Sequence, residues 1–303
     1  MDWRQELVER LAASVPVGYF ARDEAACEPT ALAGLALHAH GKTESARRAA
    51  DWLVEQQARN GAVGVTATQS TPCWPTSLAM LLWNSIRDRD RYGEPIARAV
   101  EWTIHEQGQT HALRPYVGHD TTLVGWSWAA DTHSWLEPTA LFVLALHAVG
   151  QSRHPRTREA VRLLVDRLLP HGGCNYGNTI VLGQELLPHV QPTGIVMMAL
   201  ADEKISDPRI ELSLQYLERE LSAETATASL SYGLLGLAAH DRAPADRLER
   251  AGREVVLVDE SFANWRPESA KQVRSPPTRS RRSRRLPLTS KHPPHASGPS
   301  RRQ

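Results

Sequence analysis

The stretch from Ser134 to His147, SWLEPTALFVLALH, decides the fold, because altered copies of it occur at three other places in the chain. EPTALAGLALH begins at Glu28, WPTSLAMLLWN at Trp74 and QPTGIVMMALA at Gln191. Each copy has a Pro-Thr pair followed by a mostly apolar run. Since proline is well tolerated at the first position of a helix, each copy predicts the start of a buried helix.

Amphipathic segments lie between these apolar copies. They cover residues 45–59, 95–107, 157–169 and 208–221, and in each the apolar residues fall on one helical face. A last apolar segment, 227–239, lacks the proline. The alternation predicts helical hairpins in which one set of helices lies inside the other.

The composition is that of a globular protein, with 41% hydrophobic residues in a chain of 303. The apolar runs are shorter than the roughly 20 residues that cross a bilayer. The start, MDWRQELVERLAASV, is charged and amphipathic and is unlike a signal peptide. These features predict a cytoplasmic protein without a membrane span.

The C-terminal part differs in composition from the rest of the chain. From Lys271 onward there are ten Lys or Arg and no Asp or Glu. We therefore predict a repeat domain over residues 1–256, with 241–256 as a possible further outer helix, and a disordered basic tail rich in Pro, Ser and Arg over 257–303. Weak nonspecific contact of this tail is the only interaction with nucleic acid that we expect.

The repeats resemble those of the prenyltransferase and squalene-cyclase superfamily, which carry a QxxxGxW motif. The matching residues are the PTALALL-like apolar segments, the string from Gln57 to Gly61, and GGCNYG at 172–177, which is similar to the family's GGWNYG turn. The resemblance covers about residues 1–250. It implies an all-α fold, an α/α toroid of about five to six hairpins, with apolar inner helices ringed by amphipathic outer helices.

The sequence departs from the family pattern at several positions. Val63 and Cys174 stand where the family has tryptophan, and His111 stands four residues after Gln107 where the family has glycine. These departures leave the repeat recognisable but weaken any inference about activity.

The catalytic motifs of the family are also missing. Class II terpene cyclases protonate an alkene with a DxDD acid, and the nearest string here is Asp88-Arg89-Asp90, where arginines favour ionised carboxylates. Protein prenyltransferases hold zinc with Asp, Cys and His. The three cysteines, Cys27, Cys73 and Cys174, show no metal-binding spacing, so no metal or other cofactor is expected.

Residues 114–135, RPYVGHDTTLVGWSWAADTHSW, concentrate aromatic and acidic side chains. Indole faces stabilise cations, and a poorly solvated carboxyl can act as an acid. The candidate catalytic residues are therefore Asp120 and Asp131. The aromatic candidates for lining an apolar ligand are Trp74, Tyr116, Trp126, Trp128 and Trp135. The alternative is a loop that covers one mouth of the barrel and anchors its tryptophans in the core.

Three further candidates, Glu28, Glu137 and Gln191, immediately precede the repeated prolines. A toroid would gather them near one end of its barrel, where they could line a ligand. The favoured explanation is that they are helix-start residues, because that position favours hydrogen-bond acceptors.

The sequence thus supports two interpretations. In the first, the chain is a terpenoid cyclase-like or prenyltransferase-like toroid that lacks the DxDD acid and binds an isoprenoid or a similar apolar, lipid-like ligand. Any activity would then be of the same cyclase or prenyltransferase kind. In the second, it is a non-catalytic scaffold or protein-binding repeat module whose barrel is filled by its own side chains.

Overall fold

The computed structural model describes residues 3–20, 23–113, 116–222 and 224–242, and these residues are mostly helical. The helices are α1 (Trp3–Ser14), α2 (Cys27–Ala39), α3 (Thr43–Gln56), α4 (Pro75–Ile86), α5 (Arg89–His105), α6 (Leu136–Ala148), α7 (Pro155–Asp166), α8 (Val190–Leu200), α9 (Pro208–Glu220) and α10 (Thr227–Ala238). Two short antiparallel strands, β1 (Ile180–Val181) and β2 (Gln184–Glu185), form a hairpin between α7 and α8. The all-α prediction is confirmed.

The helices pack in two layers. The inner helices α2, α4, α6, α8 and α10 contact one another in that order, and the outer helices α3, α5, α7 and α9 each pack on the inner helix that precedes them. The inner helices are the more fully buried set, since they are apolar on most sides. This is the inner and outer arrangement of an α/α toroid.

The row of inner helices curves back on itself. Tyr232 in α10 interacts electrostatically with both Glu28 in α2 and Glu137 in α6. Since these are the fifth, first and third inner helices, their side chains come within electrostatic range of one another across the middle of the row. The described helices therefore form a curved assembly with its inner helices facing a common centre.

One outer helix begins earlier than predicted. The expected start of α5 at Pro95 is wrong, because the helix begins at Arg89 and Pro95 lies inside it. The Asp88 side chain caps this earlier start by accepting a hydrogen bond from the backbone N–H of Arg91 at 3.2 Å. This cap contributes about 0.5–2 kcal/mol, less than the roughly 3 kcal/mol that an internal proline costs. Burial of Tyr92, which is fully buried in the first turn, contributes the rest.

The threonine of each Pro-Thr pair fastens the loop that precedes its helix. All four threonines are fully buried, and the Oγ1 atom of each accepts a hydrogen bond from a loop backbone N–H at 2.8–3.0 Å. The loop donors and their threonines are Val17 with Thr30, Val63 with Thr76, Trp126 with Thr139, and Cys174 with Thr193. The repeat is therefore a structural fastening that recurs before successive inner helices.

This fastening corrects the alignment of the third repeat. Val63 and Cys174, which stand at the family's tryptophan position, each donate a backbone N–H to the threonine of a Pro-Thr pair. Trp126 makes the same hydrogen bond to Thr139 in the third repeat. The equivalent of the family turn is thus Gly125-Trp126. His111, which the spacing from Gln107 suggested, lies in the loop inserted before it.

No helix within the described residues has both the length and the apolar character needed to cross a bilayer. The predicted outer helix over 241–256, the domain boundary at 256 and the basic tail lie beyond Arg242, outside the described residues. They stay predictions, as does the count of five to six hairpins.

Candidate functional site

The inner helices begin at one end of the assembly, because short connections join α2, α4, α6 and α8 to the antiparallel outer helices that follow them. Glu28, Glu137 and Gln191 lie in the first turns of α2, α6 and α8. The longer loops 106–135 and 167–189 precede inner helices and so lie at the same end. We call this end the entrance end.

The predicted gathering of polar residues at this end is present in the structure. The side-chain amide of Gln191 donates a hydrogen bond to Glu137 Oε1 at 3.0 Å. Glu28 interacts electrostatically with Glu137, and Tyr232 with both carboxyl groups. These four residues, Glu28, Glu137, Gln191 and Tyr232, form what we call the entrance cluster.

Glu137 is the most strongly buried acid of the cluster, with only 4% of its surface exposed. Burial raises its pKa, the Glu28 carboxylate raises it further, and the hydrogen bond from Gln191 opposes these effects. Burial, followed by the two carboxylates, likewise raises the pKa of Tyr232 to about 12. Among the described residues, no ion pair reaches Glu28 or Glu137. Glu137 is therefore an acid whose environment favours the protonated form.

Glu28 has a second partner in the loop before α2. The Tyr19 hydroxyl donates a hydrogen bond to Glu28 Oε2 at 2.6 Å. Burial and this hydrogen bond raise the pKa of Tyr19. Two phenols and two carboxyl groups thus share the region, and each can donate or accept a hydrogen bond.

Partly exposed aromatic side chains surround the entrance end, where they precede the inner helices. Trp74 and Trp128 meet edge to face, with ring centroids 5.2 Å apart. Trp135 stacks on His133 at 4.5 Å, and Tyr176 on His189 at 5.0 Å. We call Trp74, Trp128, Trp135 and Tyr176 the aromatic rim. The rim offers both apolar area and indole faces.

One predicted ligand residue belongs instead to the core. Trp126 is fully buried, packs on Phe142 at 5.1 Å, and donates its indole N–H to the Thr103 carbonyl oxygen at 3.0 Å. The Arg156 guanidinium lies 4.0 Å from the Trp126 ring centroid. The surface of Trp126 is thus fully buried in packing contacts, as expected if the loop covers the barrel mouth and anchors this residue in the core.

The two predicted catalytic aspartates lie outside the entrance cluster. Asp120 accepts hydrogen bonds from the Thr122 backbone N–H at 2.8 Å and hydroxyl at 2.6 Å, and these bonds lower its pKa. A carboxyl held ionised in this way is poorly suited to donate a proton. Asp131 is exposed in a turn with φ of 60°. Tyr116 is largely exposed as well.

The loop before α6 encloses a cavity of about 320 Å³ with the segment after α7. Its lining includes His111, His119, His133 and Arg167. Arg167 is 5% exposed, and burial followed by the Arg167 charge lowers the pKa of His119 to about 4. The pKa of His133 is lowered by the same two causes. The cavity thus combines a buried, ion-paired arginine with two imidazoles, His119 and His133, whose pKa is lowered.

Metal binding has little support in the described residues. They contain no group of three or more His, Cys, Asp or Glu side chains arranged to hold a metal ion. Burial raises the thiol pKa to about 12 for Cys27 and Cys174 and to about 11 for Cys73. These thiols are therefore protonated at neutral pH, whereas metal binding needs the thiolate.

Two site residues escaped the sequence analysis. Tyr232 is the one aromatic residue of α10, whose other residues are small or aliphatic, and that contrast was a usable signal. Arg167 follows an amphipathic helix, where the sequence pattern favours an exposed charge. Its burial depends on carbonyl groups of distant loop residues, which no local pattern indicates.

Comparisons with known proteins bear on the fold. No protein-family model matches the chain, and no curated protein matches it either. The type II terpene cyclase MstE from Scytonema, in its apo form, is similar at 16% identity and a TM-score of 0.47, with 73% of this chain and 62% of the cyclase covered. A protein from Actinoplanes is similar at 16% identity and a TM-score of 0.50, with 82% of each chain covered.

These similarities are limited in what they show. The chain spans about three fifths of the cyclase, and at 16% identity a shared fold does not carry an activity with it. The α/α toroid arrangement of inner and outer helices that the repeats predict is confirmed by the helix packing.

Proposed function

We propose that the chain binds an isoprenoid or a similarly apolar small molecule at the entrance end, with Glu137 as its buried proton and hydrogen-bond donor. One observation carries the proposal. Glu137 is 4% exposed and faces a second carboxyl group, and no ion pair joins either of them to another described residue.

This arrangement opposes stability. Burying a carboxyl beside another acid costs free energy, and a hydrophobic residue of similar size would avoid that cost. Groups whose pKa is shifted by burial and by a like charge are concentrated at functional sites. The same position before the repeated proline is polar in three inner helices, in Glu28, Glu137 and Gln191.

The aromatic rim supports an apolar ligand. Trp74, Trp128 and Trp135 are partly exposed and lie before inner helices, at the same end as the cluster. The Trp74 indole nitrogen is buried without a hydrogen-bond partner among the described residues. Indole surfaces bury large apolar areas and stabilise positive charge that develops near their faces. A largely hydrocarbon molecule with few polar atoms fits this combination.

The test is incubation of the full chain with polyprenyl diphosphates and with squalene-like triterpenes, followed by mass spectrometry of bound and converted products. We expect saturable binding by the wild-type protein. Glu137→Gln keeps the shape and a hydrogen-bond donor but removes the acidic proton, so any conversion should be lost in this variant. Asp120→Asn is the control and should behave as the wild type. If no member of either class binds, the proposal is wrong.

A protein-binding scaffold is the second candidate, because apolar side chains are exposed in the loops at the entrance end. Leu182 at the tip of the β1–β2 hairpin is 98% exposed, and Phe20 and Leu187 are also largely exposed. Contiguous exposed apolar surface marks protein-interaction sites, so these side chains are the ones to test for a protein contact. Under this alternative, Glu137→Gln would leave binding of a protein partner unchanged, whereas Leu182→Ser would reduce it.

A further inference from the structure

The cavity beside the 106–135 loop is separate from the entrance cluster and is built from other residues. Its volume of about 320 Å³ lies at the lower end of the range for small-molecule sites, which is about 300–1,000 Å³. The loop around it is internally fastened, since the backbone N–H of His111 bonds to the Thr121 carbonyl at 3.0 Å and that of Gln109 to the Thr132 carbonyl at 2.8 Å. The cavity is therefore a preformed space.

Arg167 supplies the charge of this cavity. Its Nε donates to Asp166 at 3.3 Å, Nη2 donates to the Asp120 carbonyl at 3.2 Å, and Nη1 donates to the Gly177 carbonyl. A guanidinium has five N–H groups, so these bonds leave one on each Nη atom. Among the described residues, the lining contains no aspartate or glutamate. Asp166 offsets part of the Arg167 charge through an ion pair at 3.3 Å, so an anionic partner would be held mainly by the two remaining N–H donors.

Neutral donors complete the lining. His133 lines the cavity, and its Nε2 atom is buried with no hydrogen-bond partner among the described residues. Asn178 also lines the cavity and carries an amide that can donate. A buried polar atom without a partner costs free energy. This nitrogen is closed to a water-sized probe, so a ligand oxygen would bond to it only after a small rotation of the His133 ring.

The remaining lining is apolar. Val117 and Leu123 lie in the same cavity as Arg167 and His133. An inorganic ion would leave these side chains unused, whereas an organic molecule would cover them. The combination favours a charged head on a small organic body.

We propose that this cavity binds the oxyanion group, carboxylate or phosphate, of a small organic molecule. The head lies against Arg167, His133 and Asn178, and the organic body lies against Val117 and Leu123. The inference does not depend on the function proposed for Glu137, because no residue is shared between the two sites.

The test uses ligand-observed NMR on the full chain with four probes: benzoate, phenyl phosphate, benzamide and inorganic phosphate. Benzamide has the shape of benzoate without its charge, and benzoate and phenyl phosphate distinguish the two oxyanions. We expect one or both aromatic anions to bind, with benzamide weaker by on the order of tenfold or more. Inorganic phosphate should bind more weakly than the preferred aromatic anion, because it lacks the organic body.

Asn178→Asp puts a carboxylate into the cavity with almost no change in shape. We expect it to weaken binding of the anion by on the order of tenfold or more. Asn60→Asp is the matched control, because Asn60 is exposed and uses only its side-chain oxygen, as acceptor from the Ala62 N–H at 3.1 Å. It changes the net charge equally and should leave binding unchanged.

His133→Phe provides a second variant that keeps an aromatic ring against Trp135 and removes the unpartnered nitrogen. It should weaken anion binding without introducing a charge. The proposal is overturned if neither aromatic anion binds the wild-type protein, if benzamide binds as well as they do, or if Asn178→Asp and Asn60→Asp bind equally. Failure of this test would leave the Glu137 proposal intact, since that one is also tested with squalene-like triterpenes, which carry no oxyanion.

Discussion

Thr139→Val removes one hydroxyl group from the repeated fastening and preserves the shape of the side chain. Thr139 is fully buried, and its Oγ1 accepts the Trp126 N–H at 2.9 Å and donates to the Trp126 carbonyl at 3.2 Å. That carbonyl also accepts the Trp135 N–H at 2.9 Å and stays satisfied in the variant. The substitution therefore leaves one buried donor, the Trp126 N–H, without an acceptor.

The magnitude follows from that single donor. A buried polar group left without a partner costs about 1–3 kcal/mol of unfolding free energy. For a domain of this size, each kcal/mol lowers the melting temperature by roughly 2–4 °C. We expect Thr139→Val to lower the free energy of unfolding by about 1–3 kcal/mol and to speed hydrogen exchange at the Trp126 amide.

Thr157→Val is the matched control. Thr157 is also fully buried, but its hydroxyl has no hydrogen-bond partner among the described residues. The same change there removes an unsatisfied group, so it should leave stability unchanged or raise it. Urea unfolding of both variants and the wild type gives the comparison. The fastening argument is refuted if Thr139→Val costs no more than Thr157→Val.

Three other substitutions test the packing and the acid. Gly61→Ala should lower the free energy of unfolding by about 2–4 kcal/mol, because φ is +95° and the new Cβ would collide with the α5 backbone. Gly41→Ala is the control: its φ is +71° but its surroundings are open, so it should cost only about 1 kcal/mol. Equal losses in urea unfolding would contradict this expectation. Gly194→Ala should cost about 1–3 kcal/mol, since its Cβ would meet the Tyr232 backbone where α8 and α10 approach, and an unchanged melting temperature would argue against that contact. Glu137 has its pKa raised by burial and Glu28, so the folded state binds its proton more tightly and the wild type loses stability as pH rises above the ordinary value of 4.5. Glu137→Gln should therefore gain stability relative to the wild type between about pH 4 and pH 8, and a difference that does not change with pH would show that burial leaves this carboxyl unperturbed.

The inner helices were predictable because their start signals are local. A proline at the first position and a long apolar run need no tertiary information, and α6 and α8 begin within one residue of the predicted starts. The start of α5 was missed although Asp88 is a favoured N-cap residue, because Pro95 gave a stronger but misleading signal.

The entrance cluster was partly predictable for the same reason. Once the inner helices run parallel, Glu28, Glu137 and Gln191 must meet at one end, and the Gln191–Glu137 hydrogen bond shows that two of them do. The sequence could not show that Glu137 is a better candidate proton donor than Asp120, because the pKa of Glu137 depends on its burial. For Asp120, the Thr two residues later was a readable sign of a local turn that keeps the carboxyl ionised.

The cavity beside the 106–135 loop could not be derived from the sequence. The analysis of that stretch concentrated on its tryptophans, and Trp126 proved to be a core residue. Arg167 reaches the loop from the end of α7, and its partners at Asp120 and Gly177 come from two different loops. Such a site depends on the relative placement of distant segments, which hydrophobic periodicity does not encode.

Binding of an apolar ligand to the rim and entrance cluster tests the central claim most directly. The measurement is native mass spectrometry of the full chain titrated with a squalene-like triterpene and with a polyprenyl diphosphate, in the wild type and in the Trp135→Ala and Asp120→Asn variants. We predict saturable binding of at least one of these ligands at one molecule per chain, weakened by Trp135→Ala and unchanged by Asp120→Asn. The claim is contradicted if neither ligand binds saturably, or if Trp135→Ala binds as tightly as the wild type.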